Sequence, residues 1–114
     1  MRDEPLTYST SAGTREGTTI LKLVGPLTLS NMFSLQNDIR TIQSPLTIID
    51  LNETEYMDSA GLGVLVNFYV SAQSHGRKTA LVGVNNRIDA LLDMTHVKTL
   101  LRSFPTIEEA EAQA

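Results

Sequence analysis

Two apolar runs, Leu46-Thr47-Ile48-Ile49-Asp50-Leu51 and Thr79-Ala80-Leu81-Val82-Gly83-Val84, bracket a long segment whose apolar residues fall at helical spacing. A strand that is apolar along most of its length must be covered on both faces, which is the pattern of a central parallel strand. Parallel neighbours cannot be joined by a tight turn, so the chain between them has to cross over as a helix. Leu62, Leu65, Val66 and Tyr69 form that helix's core stripe, and Val64 and Phe68 make an apolar pair on an adjoining face, read as packing against a neighbouring element. The helix is expected to open at Asp58 or Ser59 and to end at His75, with Gly76 where a left-handed cap is wanted. A β-α-β unit of this kind is right-handed and carries its functional groups at the carboxyl ends of its strands.

The rest of the chain extends the same scheme. Leu6 to Thr10 alternates as a half-exposed edge strand does, and Ala12 to Gly17 reads as a turn. Thr18 to Val24 is a second strand, antiparallel to the first and stopped by Gly25-Pro26. Ser30 is expected to cap a helix running through about Gln43, with Met32, Leu35, Ile39 and Ile42 as its buried stripe, and Ser44-Pro45 ends it. Asn85 or Asn86 can cap a third helix that buries Ile88, Leu91, Leu92 and Thr95. The end of Val97 to Leu101 is read as a short edge strand. Thr106 and Glu109 form a capping box that opens a last helix, whose final residues Glu111 to Ala114 are expected to fray. Met32, Met57 and Met94 are read as core filler. The fold class is therefore α/β: a mixed sheet of four or five strands with a parallel centre and helices mainly on one face. It makes one domain over residues 1–114, with its core at about 6–110.

Composition removes several chemistries. There is no cysteine, and the two histidines, His75 and His96, stand far apart, so thiolate chemistry is excluded and a metal cage is not expected. A net charge of −4 argues against nucleic acid as a partner. Met1-Arg2-Asp3-Glu4-Pro5 lacks the apolar core of a signal peptide, and no run reaches the ~20 apolar residues of a membrane span. A cytoplasmic protein without a membrane partner is the expectation.

Between the central strand and its crossover helix, Asp58-Ser59-Ala60-Gly61-Leu62-Gly63 compresses a carboxylate, a hydroxyl and two glycines into six residues. Asp and Ser are common helix caps, so capping alone accounts for the first two. It does not account for two glycines in a first turn, each costing roughly 1 kcal/mol against Ala. They give a partner, or another part of the chain, close access to the backbone. A phosphate on Ser59 would add about 1.5–2 negative charges at a helix end whose dipole tolerates them. The fold would persist while the surface changed sign and shape.

Tyr56 to Leu65 resembles the signature of bacterial anti-sigma-factor antagonists, the single-domain members of the STAS group. Leu23-Val24-Gly25-Pro26-Leu27, Ile48-Ile49-Asp50-Leu51 and Leu81-Val82-Gly83-Val84 extend the resemblance, in order, from about Thr18 to Ala110. It implies a partner-switching module without catalytic activity or cofactor. The unmodified form binds an anti-sigma factor that is also a serine kinase, and so frees a sigma factor. Phosphorylation of the motif serine, Ser59 here, ends the binding, and a PP2C-type phosphatase resets it. Asp58, Ser59, Ala60, Gly61, Leu62 and Gly63 are the implied partner-binding residues. Ala60 stands where the family often has Ser or Thr, and Thr28 where it frequently has Asp.

Other readings compete. Ser59 is not in Gly-x-Ser-x-Gly and no histidine is placed beside it, so hydrolase chemistry has no support. A receiver-like domain would use Asp50 as phosphate acceptor, with Glu53, Glu55 or Asp58 holding Mg²⁺, although the paired acids expected after an earlier strand are missing. A STAS subunit that is never phosphorylated, serving a transporter or signalling complex, is a third possibility.

Overall fold

The computed structural model describes residues 5–114, so the reading of Met1 to Glu4 as no signal peptide lies outside the described residues. The elements are β1 (Thr7–Ala12), β2 (Thr18–Val24), α1 (Met32–Ile39), β3 (Leu46–Glu53), α2 (Ser59–Ser74), β4 (Lys78–Val82), α3 (Asn86–Met94), β5 (Ser103–Phe104) and α4 (Ile107–Gln113). The five strands lie side by side in chain order. β1 is antiparallel to β2, and all later neighbours are parallel.

Because the strand order never reverses, right-handed crossovers deliver α1, α2 and α3 to the same face. There Leu21, Leu23, Ile49, Leu51 and Leu81 meet Leu35, Leu62, Leu65, Ile88 and Leu92. The alternate residues Leu46, Ile48, Ala80 and Val82 point the other way, onto Phe104, Ile107 and Ala110. Three helices on one face and α4 alone on the other agree with the expectation from sequence. Val64 and Phe68 are buried against α1, as packing required.

Several local expectations need correction. Ser30 does not cap α1. Asn31 holds that position, but its side chain turns back to accept from the Thr28 amide (2.9 Å) and donate to the Pro26 carbonyl (2.9 Å). The helix stops at Ile39 rather than Gln43, although Met32, Leu35, Ile39 and Ile42 all pack inward. Val97 to Leu101 is a turn that drops Leu101 into the core, and β5 follows it. Thr95 is the exposed C-cap of α3, and Met94 is 75% exposed, so it fills no core.

The C-terminal turn of α4 does not fray. Glu111 is 3% exposed, and its carboxylate accepts from the Arg15 amide (2.7 Å) and the Thr14 hydroxyl (2.9 Å), tying α4 to the β1–β2 turn. The Arg15 amide bond holds the Glu111 carboxyl below the usual carboxylate range, outweighing desolvation. A depressed folded-state pKa means the contribution is present above the unfolded value and is lost as pH falls through the folded one. The protection of the amides of residues 108–113, relative to their intrinsic exchange, is therefore expected to fall as the pH drops through the depressed Glu111 titration, and Glu111→Gln to remove that dependence. Protection factors in α4 that are the same in acid and at neutrality would disprove the clamp.

Candidate functional site

The site is built where β2 and β3 hand over to their helices. Gly25 donates its amide to the Glu53 carbonyl (2.9 Å), and the buried Thr54 hydroxyl donates to the Leu23 carbonyl (3.2 Å). An isolated parallel bridge then joins Leu27 to Met57. In it, the Leu27 amide donates to the Tyr56 carbonyl (3.2 Å) and the Leu27 carbonyl accepts from Asp58 (3.2 Å). The loop before α2 is thus laid on the loop before α1. Asn85 braces it from the other side: its side chain accepts from the Ile88 amide (2.9 Å) to cap α3 and donates to the Glu55 carbonyl (2.7 Å).

Asp58, not Ser59, is the cap of α2. One carboxylate oxygen accepts from the Gly61 amide (2.8 Å) and the other from the Leu29 amide (3.0 Å). A single side chain therefore starts the helix and pins the loop leading to α1. Ser59 becomes the first helical residue, exposed, with its hydroxyl left out of the capping bonds. At the far end, His75 is the C-cap and Gly76 has φ +74°. The Gly76 and Arg77 amides donate to Gln73 (3.0 Å) and Ala72 (2.9 Å), closing the helix as a Schellman motif.

The two motif glycines separate cleanly. A Cβ on Gly61 would stand 2.3 Å from the Leu27 carbonyl oxygen, so this glycine lets α2 sit directly on the neighbouring loop. A Cβ on Gly63 would meet nothing within 4 Å. Gly63 lies one turn after Ser59 on the same helical face. Gly61 and Leu62 (3% exposed) are buried and back the surface, while Ser59 is exposed and Asp58, Ala60 and Gly63 are half-exposed.

Large apolar side chains are exposed on the segments that flank the corner: Tyr56 before it, Leu29 on the loop that Asp58 holds, and Phe33 in the first turn of α1. Leu29 is 57% exposed, Phe33 60% and Tyr56 40%, with the Arg87 guanidinium 5.2 Å from the Tyr56 ring centre. Sequence reasoning missed Leu29 and Phe33. The signal was available, since both are large apolar residues off the stripe of Met32, Leu35 and Ile39. Thr28 makes a hydroxyl–hydroxyl bond with Ser30 (2.9 Å) and carries no charge into the site.

The receiver scheme finds no such support. Asp50 is buried and its carboxylate is occupied by the Asn52 amide (2.9 Å) and side chain (2.7 Å). It alternates with Ile49 and so faces away from α2. Glu53 pairs with Lys22 (2.6 Å), and no metal-binding cluster of His, Asp and Glu occurs among the described residues. His75 is about 24 Å from Ser59 along α2. His96 sits in the turn after α3, at φ +60°. Among the described residues no helix is long and apolar enough to cross a membrane.

The model of the STAS domain matches residues 9–110. A Thermotoga maritima protein is 37% identical over 60 residues, 53% of this chain and 53% of that protein, so the matched stretch spans about half the relative's length. The anti-sigma F factor antagonist of Paenibacillus polymyxa is 34% identical over 83 residues, covering 69% of this chain and 71% of that one. The crystal structure of an anti-sigma factor antagonist from Mycobacterium paratuberculosis superposes with a TM-score of 0.83 at 18% identity, over 97% of both chains. A monotonic five-strand sheet, a capped serine corner and a family match over nearly the whole length agree: the chain belongs to the STAS domain family.

Proposed function

We propose that this protein is a non-catalytic cytoplasmic antagonist of an anti-sigma factor, and that phosphorylation of Ser59 ends its binding. The observation that carries the reading is the division of labour at the start of α2. Asp58 does the capping and holds the Leu29 loop, so Ser59 is exposed without a structural task, with Leu29 and Tyr56 exposed on the adjoining segments. The names of the relatives supply the partner class. A serine kinase, the anti-sigma factor itself, would transfer the γ-phosphoryl group of ATP. The bond from phosphorus to ADP breaks, the bond to Ser59 Oγ forms, and the hydroxyl proton leaves to the kinase.

The phosphate would bring about 1.5–2 charges next to the Asp58 carboxylate, beside the exposed Leu29 side chain. First-turn amides tolerate the new charge, so α2 stays folded. A partner seated on Leu29 and Phe33 would have to desolvate a dianion, and binding is lost. A PP2C-type phosphatase hydrolyses the ester and restores the unmodified serine.

The test incubates the protein with candidate anti-sigma kinases and ATP, and maps the product by mass spectrometry. Phosphate is expected on Ser59 alone. Ser59→Ala is expected to fold, to bind the kinase and to stay bound in the presence of ATP, whereas Ser59→Asp binds at least about tenfold more weakly. Modification elsewhere, or equal binding by the Ser59→Asp variant, would sink the gating and favour a permanent STAS subunit.

A further inference from the structure

A second feature lies on the same helix, about 18 Å from Ser59 when measured to Ser71. α1 and the C-terminal half of α2 diverge to leave an open cleft of about 460 Å³. Its floor is apolar, made by Ile39, Val64 and Phe68, and its rim carries Arg40, His75 and Arg77. Among the described residues no carboxylate lines it, in a chain whose net charge is −4. Neither arginine enters an ion pair among the described residues.

Arg77 supplies the sharpest observation. Its Nε is closed off from solvent and has no hydrogen-bond partner. Buried donors are almost always paired; this nitrogen is itself out of a ligand's reach, but it shows that no internal acceptor among the described residues holds the guanidinium, which borders both this cleft and a smaller one beside Lys78 and Thr79. The helix end does not explain the side chain, because the Schellman closure uses only the Arg77 backbone amide.

We propose that this cleft binds a small organic anion, a carboxylate carried on an apolar body. The volume falls in the usual range for small-molecule sites, which combine apolar walls with a few convergent polar groups. A planar guanidinium suits a carboxylate because two parallel N–H donors meet two oxygens. The apolar floor selects against a bare inorganic anion, and the absence of acids on the rim selects for negative charge. The proposal is independent of the role of Ser59.

The experiment is an amide NMR titration of the full chain with octanoate, using acetate and octylammonium as controls. Octanoate is expected to move signals from residues 39–43 and 64–77 and to leave 56–61 in place. Acetate and octylammonium should bind at least about tenfold more weakly. Arg77→Gln should weaken octanoate binding by a similar factor. Asn67→Glu, at an exposed position lining the cleft, should do the same by placing a carboxylate on the rim, and it remains informative if the Arg77 variant does not fold. Octanoate shifts that are absent or spread over the whole surface would overturn the proposal. So would octylammonium binding as well as octanoate, or an Asn67→Glu variant that binds like the parent.

Discussion

Gly61→Ala is expected to destabilise the protein by about 1–3 kcal/mol, the usual range for forcing extra atoms into a close-packed site. The new methyl would meet the Leu27 carbonyl oxygen, a backbone atom, 2.3 Å away. That oxygen also accepts from the Asp58 amide, so moving it disturbs the bridge and the cap together. Gly63→Ala is the internal control: with open space around it, the substitution should leave stability unchanged or raise it by up to about 1 kcal/mol. Urea unfolding midpoints decide the matter. Equal stability of Gly61→Ala and the parent would mean that the two loops are not locked together. A Gly63→Ala variant that is more stable yet binds the anti-sigma partner less well would show that this glycine serves the interface.

The second large effect concerns binding. In the proposed complex with an anti-sigma factor, Phe33→Ala is expected to weaken binding by about 2 kcal/mol or more, roughly thirty-fold, as a large apolar anchor does at the centre of an interface. Leu29→Ala should act in the same direction. Both side chains are more than half exposed in the free protein, so stability should move by less than about 0.5 kcal/mol. Calorimetric titration with a candidate anti-sigma factor, alongside thermal unfolding of each variant, separates the two quantities. Binding unchanged by both substitutions would place the partner elsewhere, even if Ser59 were still the phosphorylated residue.

Most of the fold was legible because local signals and burial agree. β2 occupies the residues its β-branched run indicated, and α2 runs between Asp58 and Gly76 because a capping carboxylate and a left-handed glycine bound it. The failures have a common physical origin, which is contact between residues distant in sequence. Glu111 looked like part of a fraying end, yet it is bound to Thr14 and Arg15 across nearly the whole chain. Asn31 displaced Ser30 because its amide group holds a loop rather than a helix amide. At the site, Asp58 and Ser59 could be named from sequence, but their roles could not be divided. That division depends on the second carboxylate oxygen reaching Leu29, a contact no local pattern encodes. The two glycines looked equivalent until the Leu27 carbonyl set them apart.

The side-by-side strand order has one more consequence. In open parallel sheets, crevices for nucleotides and cofactors form at a topological switch point, where successive crossovers depart in opposite directions and neighbouring loops splay apart. Here every crossover departs the same way. The loops before α1 and α2 are drawn together by the Leu27–Met57 bridge instead of being parted. The carboxyl edge of this sheet is accordingly a ledge and not a slot, with no crevice at the switch point that a nucleotide would need.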